Sequence, residues 1–355
     1  DEQDPGPGAE REGHTGTSAD AYFHSRRPAK RSLVMAHGFG SGLGLWYRNM
    51  AELVSDDVDL FAFDWPGFGR SSRFEYAEVV DRHSADAGNS IEDWFREVEA
   101  TTEGGDGGAS GAEFELTEEK LRRVYRSELF FVESLETWRK RVGIPQMVLL
   151  GHSLGGYFSA AYSLRYPQHL DHLILASPVG VAPHPRDQPS FRNSRFRQFV
   201  LSAFHREFTP QSIIRASGPL GPRLISWFAS VRFPTVEGEE SRCVANYIYH
   251  TSAARGSSEY SLFDVLMPNI YAWLPLAYRL PSLPKELPIS FIYGQNDWMD
   301  YTSGEKVEQL RPGSVVNVHR TPNSGHQMYL ENPAAFNDIV RSVCSSPHKP
   351  FPSQA

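Results

Sequence analysis

Gly151-His152-Ser153-Leu154-Gly155 is the sharpest chemical feature of the chain. A bare G-x-S-x-G arises often by chance, so its setting decides what it means. The motif follows the apolar run Met147–Leu150 and opens the helical run Tyr157–Tyr166. A strand-to-helix turn this sharp forces the serine into a strained backbone conformation. Small residues two before and two after it are then needed to avoid collision. The hydroxyl stands clear at a helix N-terminus, where the dipole favours developing negative charge. The bland alternative is a glycine-rich turn with an incidental serine, and companions elsewhere in the chain must exclude it.

A serine hydroxyl is a poor nucleophile until a base takes its proton. The base should be a histidine on a late loop, preceded in the chain by its carboxylate. Gly294-Gln295-Asn296-Asp297 turns off the strand-like run Ile289–Tyr293, and Ser324-Gly325-His326 follows the run Val315–His319. Asp297 can hold the His326 imidazole in one tautomer and stabilise its cation. Asp300, three residues on, competes for that role. The tetrahedral intermediate needs two N–H donors. Leu154, directly after the serine, supplies one. Phe39, in His37-Gly38-Phe39-Gly40 after the run Leu33–Ala36, supplies the other. His152 reads as filling space or making a local hydrogen bond. Asp64-Trp65-Pro66-Gly67-Phe68-Gly69-Arg70-Ser71 reads as shaping the floor of the site.

Elements must carry these loops. Six short apolar runs (Leu33–Ala36, Asp59–Phe63, Gln146–Leu150, His172–Ala176, Ile289–Tyr293, Val315–His319) alternate with helical patterns such as Leu121–Val142. That rhythm predicts an α/β fold, with a mostly parallel central sheet flanked by helices. Residues 1–30 read as a flexible arm, 31–182 and 286–345 as two parts of one core, 183–285 as a helical cap and 346–355 as a tail. Residues 75–119 carry 14 acidic side chains against Arg82 and Arg96, with a glycine tract at 104–111, and read as a solvated, partly disordered insert. Residues 184–233 are the opposite, with eight Arg, no Lys, two acids and eight aromatics. Arg192, Arg195 and Arg197 crowd around Phe191, Phe196 and Phe199 as candidates for meeting a lipid surface.

Composition narrows the class. The 355 residues have a net charge of −8, which argues against a protein that coats nucleic acid. No run of 18 apolar residues spans a bilayer. Cys243 and Cys344 cannot build a disulfide framework or a four-cysteine zinc site, and a reducing compartment is the simplest reading. No metal and no cofactor is expected. The chain begins at Asp1, so a targeting peptide could precede it.

Together these residues resemble the α/β-hydrolase superfamily, over about 31–345 without the acidic insert. The stretches His37-Gly38-Phe39-Gly40-Ser41-Gly42-Leu43-Gly44-Leu45-Trp46, Gly67-Phe68-Gly69-Arg70-Ser71-Ser72, Ala160–Pro167, Tyr247-Ile248-Tyr249-His250 and His326–Pro333 are similar to the α/β-hydrolase-domain 4/5 family of lipid-metabolising proteins. Asp297-Trp298-Met299 looks closer to its plant and fungal branch. The resemblance implies an α/β-hydrolase fold with a cap and a serine hydrolase of lipid carboxylic esters, a phospholipid or lysophospholipid deacylase working through an acyl-enzyme. It also implies two alternatives, a lysophosphatidic acid acyltransferase using the same site and a non-catalytic lipase coactivator. The coactivator branch carries Asn where this chain has Ser153, which points to an active enzyme. The family's motif of His, four residues and Asp, invoked for acyl transfer, appears here as His326 and Glu331. The expected partners are a lipid substrate and a membrane or lipid-droplet surface. The expected location is cytoplasmic and peripheral, with a mitochondrial address left open.

Overall fold

Each of the six apolar runs becomes a strand, with ends within two residues of the expected ones: β1 (Arg31–Ala36), β2 (Val58–Phe63), β3 (Met147–His152), β4 (Leu170–Ala176), β5 (Ile289–Gly294) and β6 (Val316–Thr321). The computed structural model describes residues 30–85, 94, 98, 116–184, 202–268 and 270–346. The strands form one sheet in the order β2-β1-β3-β4-β5-β6, all pairs parallel. The chain leaves β1 toward β2 on one side and returns to β3 on the other. Loops therefore diverge at the C-terminal ends of β1 and β3, where open α/β sheets bind ligands. Ala36 pairs with Gly151, which brings His37-Gly38-Phe39 beside Ser153.

Both faces of the sheet are covered, and the strand residues alternate between two cores. Val34, Ala36, Leu149, Leu173, Leu175 and Phe291 pack with α3 (Glu118–Val142), α4 (Leu154–Arg165) and α8 (Thr302–Leu310). Leu33, Met35, Val148, Leu150, Ile174 and Ala176 pack with α1 (Tyr47–Leu53) and α9 (Pro333–Ser345). Every β3 residue is buried, as expected for a central strand with helices on both sides. The ends of α3 show why it runs so long. Thr117 caps it by accepting the Lys120 N–H at 3.3 Å, acids fill the first turn and bases the last, and Gly143 ends it at φ 78°.

Between β4 and β5 the chain carries α5 (Pro210–Ala216), α6 (Gly221–Arg232) and α7 (Gly238–Ala253), in the stretch expected to form a cap. Glu259 anchors its base, accepting from Thr209 Oγ1 and Arg215 Nη2, both at 2.6 Å. The acidic stretch is not wholly solvated. It opens with α2 (Tyr76–Ala85), where Tyr76 and Val80 are buried and the Tyr76 hydroxyl donates to Asp264 at 2.8 Å. The glycine tract, the N-terminal arm through residue 29 and Arg192, Arg195 and Arg197 lie outside the described residues.

Three buried histidines make the fold sensitive to acid. Burial pushes His37 below the usual imidazole range, His152 well below it, and His172 down to about 4. Below pH 6.5 the unfolded chain binds protons that the folded chain refuses, so stability falls as pH falls. His172 alone should cost about 3 kcal/mol between pH 6.5 and about 4. Urea unfolding at pH 7 and pH 5 should show about 2 kcal/mol of this loss, and His172→Gln should shrink it.

Candidate active site

The Gly151–Gly155 turn folds as its spacing demands. Ser153 sits at φ 55°, ψ −120° between β3 and α4. A Cβ at Gly151 would collide with Ser159 Oγ and the Gly155 carbonyl, and one at Gly155 with the His37 carbonyl. The glycines two before and two after the serine are therefore there for clearance. The strained turn is tied at both ends. The Ser153 N–H donates to Ala176 O at 3.0 Å, and Ser153 O accepts from Val179 and Tyr157 N–H.

The late loops bring the other partners in. Asn296 N–H donates to Ser324 O at 2.8 Å and Gln295 N–H to Thr321 O at 2.9 Å, binding the loop after β5 to the loop after β6. Across them, His326 Nε2 lies 3.1 Å from Ser153 Oγ and His326 Nδ1 3.3 Å from Asp297 Oδ1. Asp297 also accepts the Met299 N–H at 3.0 Å. Burial alone would raise its carboxyl. Hydrogen bonding to His326, the histidine's charge, Ser177 and the Met299 N–H outweigh burial and hold it below the usual carboxylate range. Asp300 faces elsewhere. Its Oδ1 accepts the Thr302 N–H at 3.0 Å and hydroxyl at 2.7 Å, at the exposed start of α8.

The loop after β1 packs directly on the serine: a Cβ at Gly38 would sit 2.9 Å from Ser153 Cβ. Phe39 follows Gly38, and Leu154 opens α4, where the first N–H groups have no partner inside the helix. These are the two expected oxyanion donors. His37 fixes the loop that carries Phe39. Neutral through burial, it donates from Nδ1 to Gly38 O at 2.8 Å and accepts the Trp65 N–H at Nε2 at 3.1 Å. Asp64 completes the floor by accepting Leu43 N–H at 2.7 Å and Arg70 N–H at 2.8 Å.

Three neighbours were not legible as site residues. Ser177, at φ 46° just past β4, lies 2.6 Å from His326 Nδ1 and donates its hydroxyl to Asp297 Oδ2. Trp298 sets its ring 4.8 Å from that of His326. His152 goes beyond local packing, donating from Nε2 to the His326 carbonyl at 2.9 Å. Glu331 approaches His326 through the backbone. Its Oε2 accepts the Gly325 N–H at 2.6 Å and its Oε1 the Gln327 N–H at 3.2 Å, so one carboxylate grips the peptide on both sides of the histidine. Glu331→Gln would turn an NH₂ toward one of those N–H groups and release the loop. Turnover should fall about 10²-fold, as for small displacements of reacting groups, with KM little changed in steady-state kinetics.

A strained serine on a strand-to-helix turn, a histidine on the last loop and a parallel sheet between helices define a class. The α/β hydrolase fold family model matches residues 31–333, and the chain belongs to that family. Its relatives are of the lipid-metabolising type. It is 34% identical over 316 residues to the (lyso)-N-acylphosphatidylethanolamine lipase of Mus musculus, covering 88% of this chain and 79% of that one. It is 32% identical over 318 residues to the human 1-acylglycerol-3-phosphate O-acyltransferase ABHD5, covering 89% and 78%. Carboxylesterase CesB of Bacillus subtilis shares the fold, with a TM-score of 0.52 over 90% of this chain and 85% of that one at 16% identity.

Proposed function

We propose that this chain is a serine hydrolase that deacylates phospholipids or lysophospholipids. The observation that carries the reading is the continuous line Ser153 Oγ, His326 Nε2, His326 Nδ1, Asp297 Oδ1, with separations of 3.1 and 3.3 Å. Lipid as substrate rests on the relatives, one named a lipase of N-acylphosphatidylethanolamine and one an acyltransferase of acylglycerol phosphate. Ser153 Oγ attacks the ester carbonyl while His326 takes its proton. The N–H groups of Phe39 and Leu154 hold the oxyanion. Collapse breaks the ester bond, and His326 protonates the departing lysolipid or glycerol oxygen. Water, deprotonated by His326, then releases the fatty acid from Ser153.

Acyl transfer differs only in the second acceptor, with a lysolipid hydroxyl in place of water. Glu331 is no obstacle to it, but its carboxylate is committed to the His326 loop and needs no separate acyl-transfer role. The site would work at a membrane or lipid-droplet surface, where its substrates lie. The test is to incubate the purified chain with a mixed phospholipid and lysophospholipid extract and follow products by mass spectrometry. Free fatty acid with the matching lyso product, lost in Ser153→Ala, is expected. A new acyl-lysolipid in place of fatty acid would make the enzyme a transferase. No serine-dependent product of either kind would leave a non-catalytic scaffold.

A further inference from the structure

One helix of the segment between β4 and β5 shows an outer face that neither the core nor the site uses. The inner side of α6 is Gly221, Ile225 and Ala229, four apart and buried. On the opposite side Leu220, Trp227 and Val231 fall at helical spacing, and they are 61%, 64% and 64% exposed. Phe228 and Arg223 flank them, both exposed. Single exposed apolar residues are ordinary on a protein surface, but an aligned row containing an indole is not.

The charge of the segment that carries that row is equally one-sided. From Phe208 to Val236 there is no Asp or Glu, in a chain that has 43 of them, and there are three arginines. Arg215 is held by Glu259 and Arg232 is half-buried in phase with the inner side, whereas the exposed Arg223 makes no hydrogen bond or ion pair among the described residues. A helix face built for water would interleave carboxylates with that cation. Apolar side chains that can enter the acyl layer, an amphipathic indole and an unpaired cation, Arg223, beside them fit the interface of a phospholipid bilayer. The inner side of α6 packs in the same core as Trp46 and Tyr329, and both rings lie against His152 next to the serine. The exposed row thus stands on the far side of a helix that borders the site.

We propose that the outer face of α6, with Leu220, Trp227 and Val231 inserted and Arg223 at the headgroups, docks this protein on anionic phospholipid membranes. The inference rests on the lipid reading above, and its test can fail separately. The full chain is mixed with vesicles of phosphatidylcholine, or of phosphatidylcholine and phosphatidylserine in equal parts, and binding is read by co-sedimentation. Insertion is read by tryptophan emission, with Trp227→Phe identifying the Trp227 share. Wild type should bind the anionic vesicles more tightly, release with salt, and show a blue shift that Trp227→Phe removes. Reversing one charge, Arg223→Glu, should weaken binding roughly 20-fold, because each cation near an anionic surface contributes about a factor of five. Trp227→Asp with Val231→Asp should abolish binding while turnover of a short soluble ester stays at the wild-type rate. Binding that these variants leave intact would overturn the proposal. So would a row that is silent toward vesicles, whether because another part of this chain or a second copy covers it. If wild type binds vesicles but does not turn over the soluble ester, the docking face stands and the hydrolase reading falls.

Discussion

Replacing Ser153 with Ala should lower ester turnover by roughly 10⁵- to 10⁶-fold and leave the fold intact. The residue is buried at a helix start, and Ala keeps its Cβ, so the left-handed backbone at φ 55° is neither relieved nor worsened. What is lost is the hydroxyl 3.1 Å from His326 Nε2. His326→Ala should cost about as much, and the double variant hardly more than either, because nucleophile and base act as one unit. Ser153→Gly should be as inactive as the alanine variant but more stable by about 1 kcal/mol, since glycine adopts positive φ freely. That difference would separate the strain held at the turn from the chemistry done there. Thermal unfolding beside turnover measures both. Substantial turnover in Ser153→Ala would remove the serine from the mechanism.

The second large effect concerns the acid. Asp297→Asn should reduce kcat by about 10⁴-fold, because an amide facing Nδ1 favours the wrong tautomer of His326. Asp300→Asn should change kcat little, since among the described residues that carboxylate serves Thr302 at the start of α8 and nothing in the site. Ser177 modulates the Asp297 result. It is bonded to both His326 and Asp297, so Ser177→Ala should cost far less than Asp297→Asn while still lowering kcat. A larger loss in Asp300→Asn than in Asp297→Asn would move the acid three residues along the chain.

Much of this site could be read before folding, for identifiable physical reasons. Strand ends are marked by local apolar runs, and the clearance needed around Ser153 leaves glycines at fixed offsets. Both signals are local in sequence. The acid was ambiguous because Asp297 and Asp300 share one turn, and only the backbone path decides which carboxylate faces β6. Ser177 was invisible because its partners lie 120 and 149 residues away, brought close by the pairing of β4 with β5 and of β5 with β6. Glu331 showed its spacing from His326 but not that both its oxygens would face backbone N–H groups. The acidic stretch misled through averaging. Its charge count hid the short apolar face of α2, where Tyr76 and Val80 reach the core.

Ser153 should behave as a nucleophile activated by His326. An alkyl fluorophosphonate reacts fast with such a serine, losing fluoride and leaving a phosphonyl group on its oxygen. After labelling, digestion and mass spectrometry should place one adduct on the peptide containing Ser153, absent in Ser153→Ala and strongly slowed in His326→Ala. No adduct on folded wild type, or an adduct on another residue that persists in Ser153→Ala, would contradict it.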